Sequence, residues 1–242
     1  MFPIRDSIPS RRPPVVNMAI IVACSLVFLF ELSLGPRLQE FIMQAAFVPA
    51  RLFGAPPLAA LRGPQYGLLG NLVTIFVSMF LHGGWMHIIG NMWFLYVFGD
   101  NVEDALGHGR YLLFYLGGGV AAALMHALTN PHSAVPTVGA SGAIAAVLGA
   151  YMVWFPHSRV HTLIFLGFFI TTAELPAILF LGFWFVIQFF QGTVSLAAAG
   201  NLGGVAWFAH VGGFLYGFVL ARWLRSRGSV ELPRPRAMIW YH

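Results

Sequence analysis

The chain has 242 residues, 58% of them hydrophobic, 15% aromatic and only 9% charged, with a formal net charge of +5 and every basic residue an arginine. Soluble domains are about a quarter charged, so a mean hydropathy of +0.77 indicates a membrane protein and argues against a nucleic-acid binder despite a pI near 9.9. The single cysteine, Cys24, excludes an internal disulfide framework and a multi-cysteine zinc site.

The apolar runs are long and lack the alternation of barrel strands, so the backbone must be satisfied within helices. The expected fold is all-α: a polytopic membrane helix bundle of six transmembrane helices. Residues 1–15, with Arg5, Arg11, Arg12 and several prolines, read as a disordered cytoplasmic tail. The polar opening and the absence of a small-residue cleavage site do not suggest a signal peptide. The membrane domain is expected over residues 16–225. Val16 to Leu34 is the first span, and Glu31 near its end is expected to reach the headgroups, an intramembrane partner being the alternative. A long first loop follows over 35–80. Arg37, Arg51 and Arg62 and a Pro/Gly-rich middle mark it. Its apolar content suggests that it lies on the membrane surface, with short interfacial helices near 37–47 and 68–81.

Trp85 to about Asp104 is the second span, ending in an acidic turn that runs from Gly99 to Gly107. Arg110 to Leu128 is the third, with Gly117-Gly118-Gly119 for close helix approach. The loop 129–138 has no Asp, Glu, Lys or Arg, and Gly139 to Phe155 is the fourth span. Residues 160–174, interrupted near Glu174 and Pro176, read as an interfacial or re-entrant connection, and 175–191 as the fifth span. A small-residue loop over 192–201 leads to the sixth span, Leu202 to Arg222. Residues 226–242 form a second cytoplasmic tail. Arginine clusters at both ends and uncharged loops at 129–138 and 192–201 place both termini in the cytoplasm. That topology suits a multi-pass protein of the cell membrane, plasma or inner.

This topology sets three polar clusters at one depth. The second, fourth and sixth spans all run from outside to inside, and Asn91, Ser141 and His210 fall in their first turns. At about 1.5 Å per residue they lie roughly 5–12 Å below the outer surface. Ser141, Ala145 and Gly149 share a face of the fourth span, and His210, Gly213, Gly217 and Ala221 share a face of the sixth. Such small-residue stripes let membrane helices approach closely, which would bring Ser141 and His210 within hydrogen-bond reach. A serine becomes a nucleophile when a neutral histidine takes its proton. The oxyanion that follows needs donors, and His87, Asn91 and the free N–H groups at the start of the fourth span offer them. No Asp or Glu lies at similar depth to orient His210, which implies a Ser-His dyad and not a triad. The glycines beside Ser141, Gly139 and Gly142, allow a tight entry turn.

At these residues the chain resembles the rhomboid intramembrane serine proteases. His82-x4-His87-x3-Asn91, Gly139-Ala140-Ser141-Gly142 and Ala209-His210-x2-Gly213 carry the resemblance, over roughly residues 70–222. It implies Ser141 as nucleophile, His210 as general base, and an oxyanion hole of the Ser141 N–H, His87 and Asn91. His82, Gly139, Gly142 and Gly213 would support the site structurally. Substrates would be transmembrane proteins cut in or near a spanning helix, in contact with the lipid bilayer. Two features depart from the pattern. Ala145 stands where many members have an aromatic residue against the histidine, a place that Trp207 or Phe208 could take, and the first loop lacks the Trp-Arg pair of some bacterial members.

Other classes fit less well. No H-E-x-x-H motif or suitable acid completes a zinc site, so neither metal nor cofactor is expected. The G-x-S-x-G pattern fails at Ala143. His126, His132, His157 and His161 fall at helix ends and loops and are expected at the interface, and Trp85 and Trp93 as anchoring or core aromatics. A transporter would need mid-span acids or repeated halves. The alternative within the resemblance is a catalytically silent membrane-protein binder or chaperone, whose members lack the serine or the histidine.

Overall fold

The computed structural model describes residues 1–53, 66–167, 169–197 and 206–232. Long aliphatic runs and their polar ends divide the chain into β1 (Phe2–Asp6), α1 (Val15–Ser33), α2 (Leu38–Ala45), α3 (Pro49–Phe53), α4 (Leu68–Ser78), α5 (Trp85–Leu106), α6 (His108–Thr129), α7 (Ser141–Trp154), β2 (Arg159–Leu166), β3 (Phe169–Pro176), α8 (Ala177–Ala197) and α9 (Trp207–Ser226). The Pro/Gly-rich middle of the first loop, the start of the sixth expected span at Leu202 and the tail arginines Arg234 and Arg236 lie outside the described residues.

Val15–Ser33, His108–Thr129 and Ala177–Ser195 are long and apolar enough to cross a membrane, while α7 is apolar but shorter. α5 and α9 have the length, but acids in the last turns of one and arginines in the other lower their hydropathy. Length and composition thus carry three of the six expected spans. Leu26, Leu113 and Phe190 stay exposed on the outer faces of α1, α6 and α8. An apolar surface of this kind suits a hydrocarbon solvent.

The core is built around α7, in which every residue from Gly142 to Tyr151 is buried. Its tightest partner is α9. A Cβ on Gly213 would overlap the Gly142 carbonyl, one on Gly217 would overlap that of Ala146, and one on Gly149 that of Phe214. Backbones therefore touch, as the small-residue stripes foretell. The α6 glycines work likewise, Gly118 against Ala146 and Gly119 against Met79.

The acidic turn of α5 has a structural role. Glu103 accepts the Val16 and Asn17 N–H groups at 2.9 and 2.7 Å, satisfying orphan donors at the positive end of α1. Asn17 in turn donates to the Leu95 carbonyl at 3.0 Å and accepts from the Tyr111 hydroxyl at 2.6 Å.

Several expectations are corrected. The fold is not all-α, because β1, β2 and β3 form an antiparallel sheet in that order. Residues 159–176, within which the connection over 160–174 was expected, form a hairpin turning at Gly167 (φ +61°). Threonines and β-branched residues favour this pleat, and His161 on β2 meets Glu174 on β3 at 3.4 Å. The N-terminal segment is ordered. Its strand pairs with β2, Trp93 donates to the Pro3 carbonyl at 2.6 Å, Arg11 binds Asp104 at 2.9 Å and Asp6 takes the Tyr151 hydroxyl. α8 runs on to Ala197, into the stretch expected as loop. Glu31 is buried and accepts the His82 N–H at 3.2 and 3.3 Å, so it meets a partner within the fold. Short helices stand where the first loop was expected to carry them, as α2 and α4.

Candidate active site

Ser141 is the first residue of α7, so the amides around it lack intrahelical partners. Gly139, two residues before, sets the entry. Its φ of +125° suits only glycine, and a Cβ there would lie 2.7 Å from the His87 ring and 3.6 Å from Asn91 Nδ2. The Gly139 N–H donates to the Ser78 carbonyl at 2.9 Å. Ser78 also accepts the Phe47 N–H at 2.6 Å, and Thr137 N–H donates to the Phe47 carbonyl at 2.7 Å. The first loop and α4 thus hold the approach to the serine.

The α7–α9 contact brings His210 to Ser141, with Nε2 2.8 Å from the serine Oγ. The other ring nitrogen, Nδ1, faces Gln188 Oε1 of α8 at 2.6 Å. An amide oxygen only accepts, so Nδ1 carries the proton and Nε2 turns its lone pair to the hydroxyl. Trp184 and Trp207 flank the imidazole, with ring centroids at 6.0 and 6.2 Å. Trp207, one of the two aromatics expected in place of Ala145, is found against the ring. Trp184 is an addition.

His87 and Asn91 face the serine from the first turns of α5. Gly83 N–H donates to His87 Nδ1 at 3.3 Å, which leaves Nε2–H as the donor directed toward Gly139. Asn91 is buried, and its Nδ2 has no hydrogen-bond partner among the described residues. A buried amide left unpaired is costly, so a donor held in this way awaits an acceptor. His82 lies behind His87, with ring centroids 5.3 Å apart, and is tied down through Nδ1 to the Phe80 carbonyl at 3.2 Å and through its N–H to Glu31.

A cavity of about 1080 Å³ joins these groups and is lined by His87, Asn91, Gly139, Ser141, Gly142 and His210. Gly213 lies in the contact between α7 and α9, and His82 packs against His87. His126 and His132, expected at the interface, line the same cavity. Sequence reasoning passed over Gln188 and Trp184. Gln188 offered a signal, since a polar side chain inside an apolar run needs a partner. Among the described residues, no group of three or more His, Cys, Asp or Glu is arranged to hold a metal ion.

Fold and site together define a mainly helical integral membrane protein with a serine and a histidine paired inside its bundle. The rhomboid domain model matches residues 69–227, and the chain belongs to the rhomboid family. It is similar to Rhomboid protein 1, mitochondrial, of Saccharomyces cerevisiae, 30% identical over 182 residues that make up 72% of this chain and 47% of that one. It is 28% identical to Rhomboid protease GluP of Bacillus subtilis over 84% of this chain and 34% of the relative. With Rhomboid-like protein 11, chloroplastic, of Arabidopsis thaliana it shares 33% identity over 62% of this chain and 51% of the relative. The match therefore spans about half or less of these relatives.

Proposed function

We propose that the protein is an intramembrane serine endopeptidase that cleaves transmembrane segments of other membrane proteins. The observation that carries this reading is the 2.8 Å contact of His210 Nε2 with Ser141 Oγ at the wall of a cavity inside the bundle. Family membership and relatives named as proteases support it. Ser141 attacks the scissile carbonyl as its proton passes to His210. The oxyanion accepts from the Ser141 N–H, His87 Nε2–H and Asn91 Nδ2–H. His210 then protonates the leaving amine. A water, deprotonated by the same nitrogen, hydrolyses the acyl-enzyme and frees the serine.

Six spans with both termini in the cytoplasm, in a cell membrane, complete the proposal. They rest on the arginine distribution and on the shared depth of the site residues. The test is cleavage of a labelled single-span substrate by purified protein in detergent, beside Ser141→Ala and His210→Ala. Cleavage lost in both variants is expected. Equal cleavage in all three would contradict the assignment, and a wild type that binds the substrate without cutting it would favour the silent binder.

A further inference from the structure

We propose that Gln188 is a positioning residue that makes the Ser141–His210 pair a three-membered relay, a role that rests on the protease reading above. A histidine base needs its proton on the nitrogen away from the serine and its ring held in plane with the hydroxyl. No Asp or Glu side chain is in contact with the ring among the described residues. Gln188 Oε1, 2.6 Å from Nδ1, supplies the missing acceptor. Gln188 is 7% exposed, so water competes little for its amide.

The amide is itself held. Trp184, one turn earlier on α8, lies against both His210 and Phe214, with centroids at 6.0 and 6.1 Å, and Phe185 stacks on Phe214 at 4.6 Å. These rings fix the rotation and register of α8 against α9. The amide oxygen therefore meets the imidazole as a consequence of helix packing. A neutral acceptor also suits the resting site, because a carboxylate here would carry a desolvation cost until imidazolium formed beside it. Gln188 orients the imidazole and accepts more strongly once it becomes imidazolium, without adding a charge to the resting site. The relay is complete only while α8 is seated on α9, so the base is correctly oriented only in the packed bundle.

The experiment compares wild type with Gln188→Leu and Gln188→Glu in detergent, measuring kcat, KM and the pH profile of cleavage of one single-span substrate. Leucine keeps the size and suits a lipid-embedded helix, so the fold is retained, and thermal unfolding checks it. Gln188→Leu is expected to lower kcat about 10- to 100-fold with KM little changed. Gln188→Glu retains an acceptor and is expected to recover most of the lost rate. Its negative charge favours imidazolium, so the acid limb of kcat/KM moves to higher pH by about one unit or more. Wild-type kcat in Gln188→Leu would overturn the proposal. So would equal loss in both variants with an unmoved pH profile, which would make Gln188 a packing residue only. A wild type that neither cleaves nor reacts at Ser141 would bring down the protease reading itself, and the relay with it.

Discussion

At His87 and Asn91 the chemistry depends on which atoms are left free. Gly83 occupies His87 Nδ1, and none of the described residues pairs with Asn91 Nδ2. Both residues thus present N–H donors to the entry of α7, which begins at Ser141. Preorganised donors of this kind stabilise the transition state more than the bound substrate. His87→Ala and Asn91→Ala are each expected to lower kcat about 100-fold with little change in KM, measured by steady-state cleavage. A rise in KM at unchanged kcat would assign these side chains to substrate binding instead. Ser141, His210, His87 and Asn91 stand out in the sequence because polar side chains inside apolar helices are expensive and therefore few. Gln188 was passed over because the search for a partner to His210 considered only acids. The amide does the same geometric work without a charge. Glu31 was ambiguous in sequence, since only folding shows whether an acid near a helix end meets water or a buried N–H.

Among the elements, the three-stranded sheet departs furthest from expectation, and its N-terminal strand carries a titratable latch. Asp6 bonds to the Tyr151 hydroxyl, and burial, with a smaller push from the charge of Asp100, raises its carboxyl from 3.8 to about 7 against the opposing effect of that hydrogen bond. The docked strand thus holds a proton that the released strand gives up. Between about pH 4 and pH 7 the released state binds fewer protons, so docking weakens as pH rises through this window and levels off above it. Hydrogen exchange at the β1 amides, corrected for intrinsic rates, is expected to show less protection near pH 7.5 than near pH 5. Asp6→Asn should abolish the difference. Protection that grows with pH, or a dependence that survives in Asp6→Asn, would contradict the latch. The helices α1, α5, α6 and α7 were legible from hydropathy and glycine spacing because lipid imposes one backbone solution on long apolar runs. The hairpin was not, since an apolar run of eight residues reads equally as strand or as helix. The order of the first residues depends on partners more than eighty positions away, Trp93 and Leu163 among them, and no local pattern announces it.

For the whole molecule, the fold assembles one site from four distant stretches. In the proposed mechanism α7 supplies the nucleophile, α9 the base, α5 the oxyanion donors and α8 the acceptor behind the base. Contact between α7 and α9 backbones fixes the first pair, while the first loop, through Phe47 and Ser78, steadies the entry to α7. The central claim is that this assembly makes Ser141 a nucleophile that depends on His210. The most direct measurement is covalent labelling of the purified full chain by a fluorophosphonate, with the modified residue located by mass spectrometry, in wild type, Ser141→Ala and His210→Ala. The account predicts a single adduct on Ser141 in the wild type, none in Ser141→Ala, and labelling slowed at least about 100-fold in His210→Ala. An adduct elsewhere, or an equal rate without His210, would contradict it.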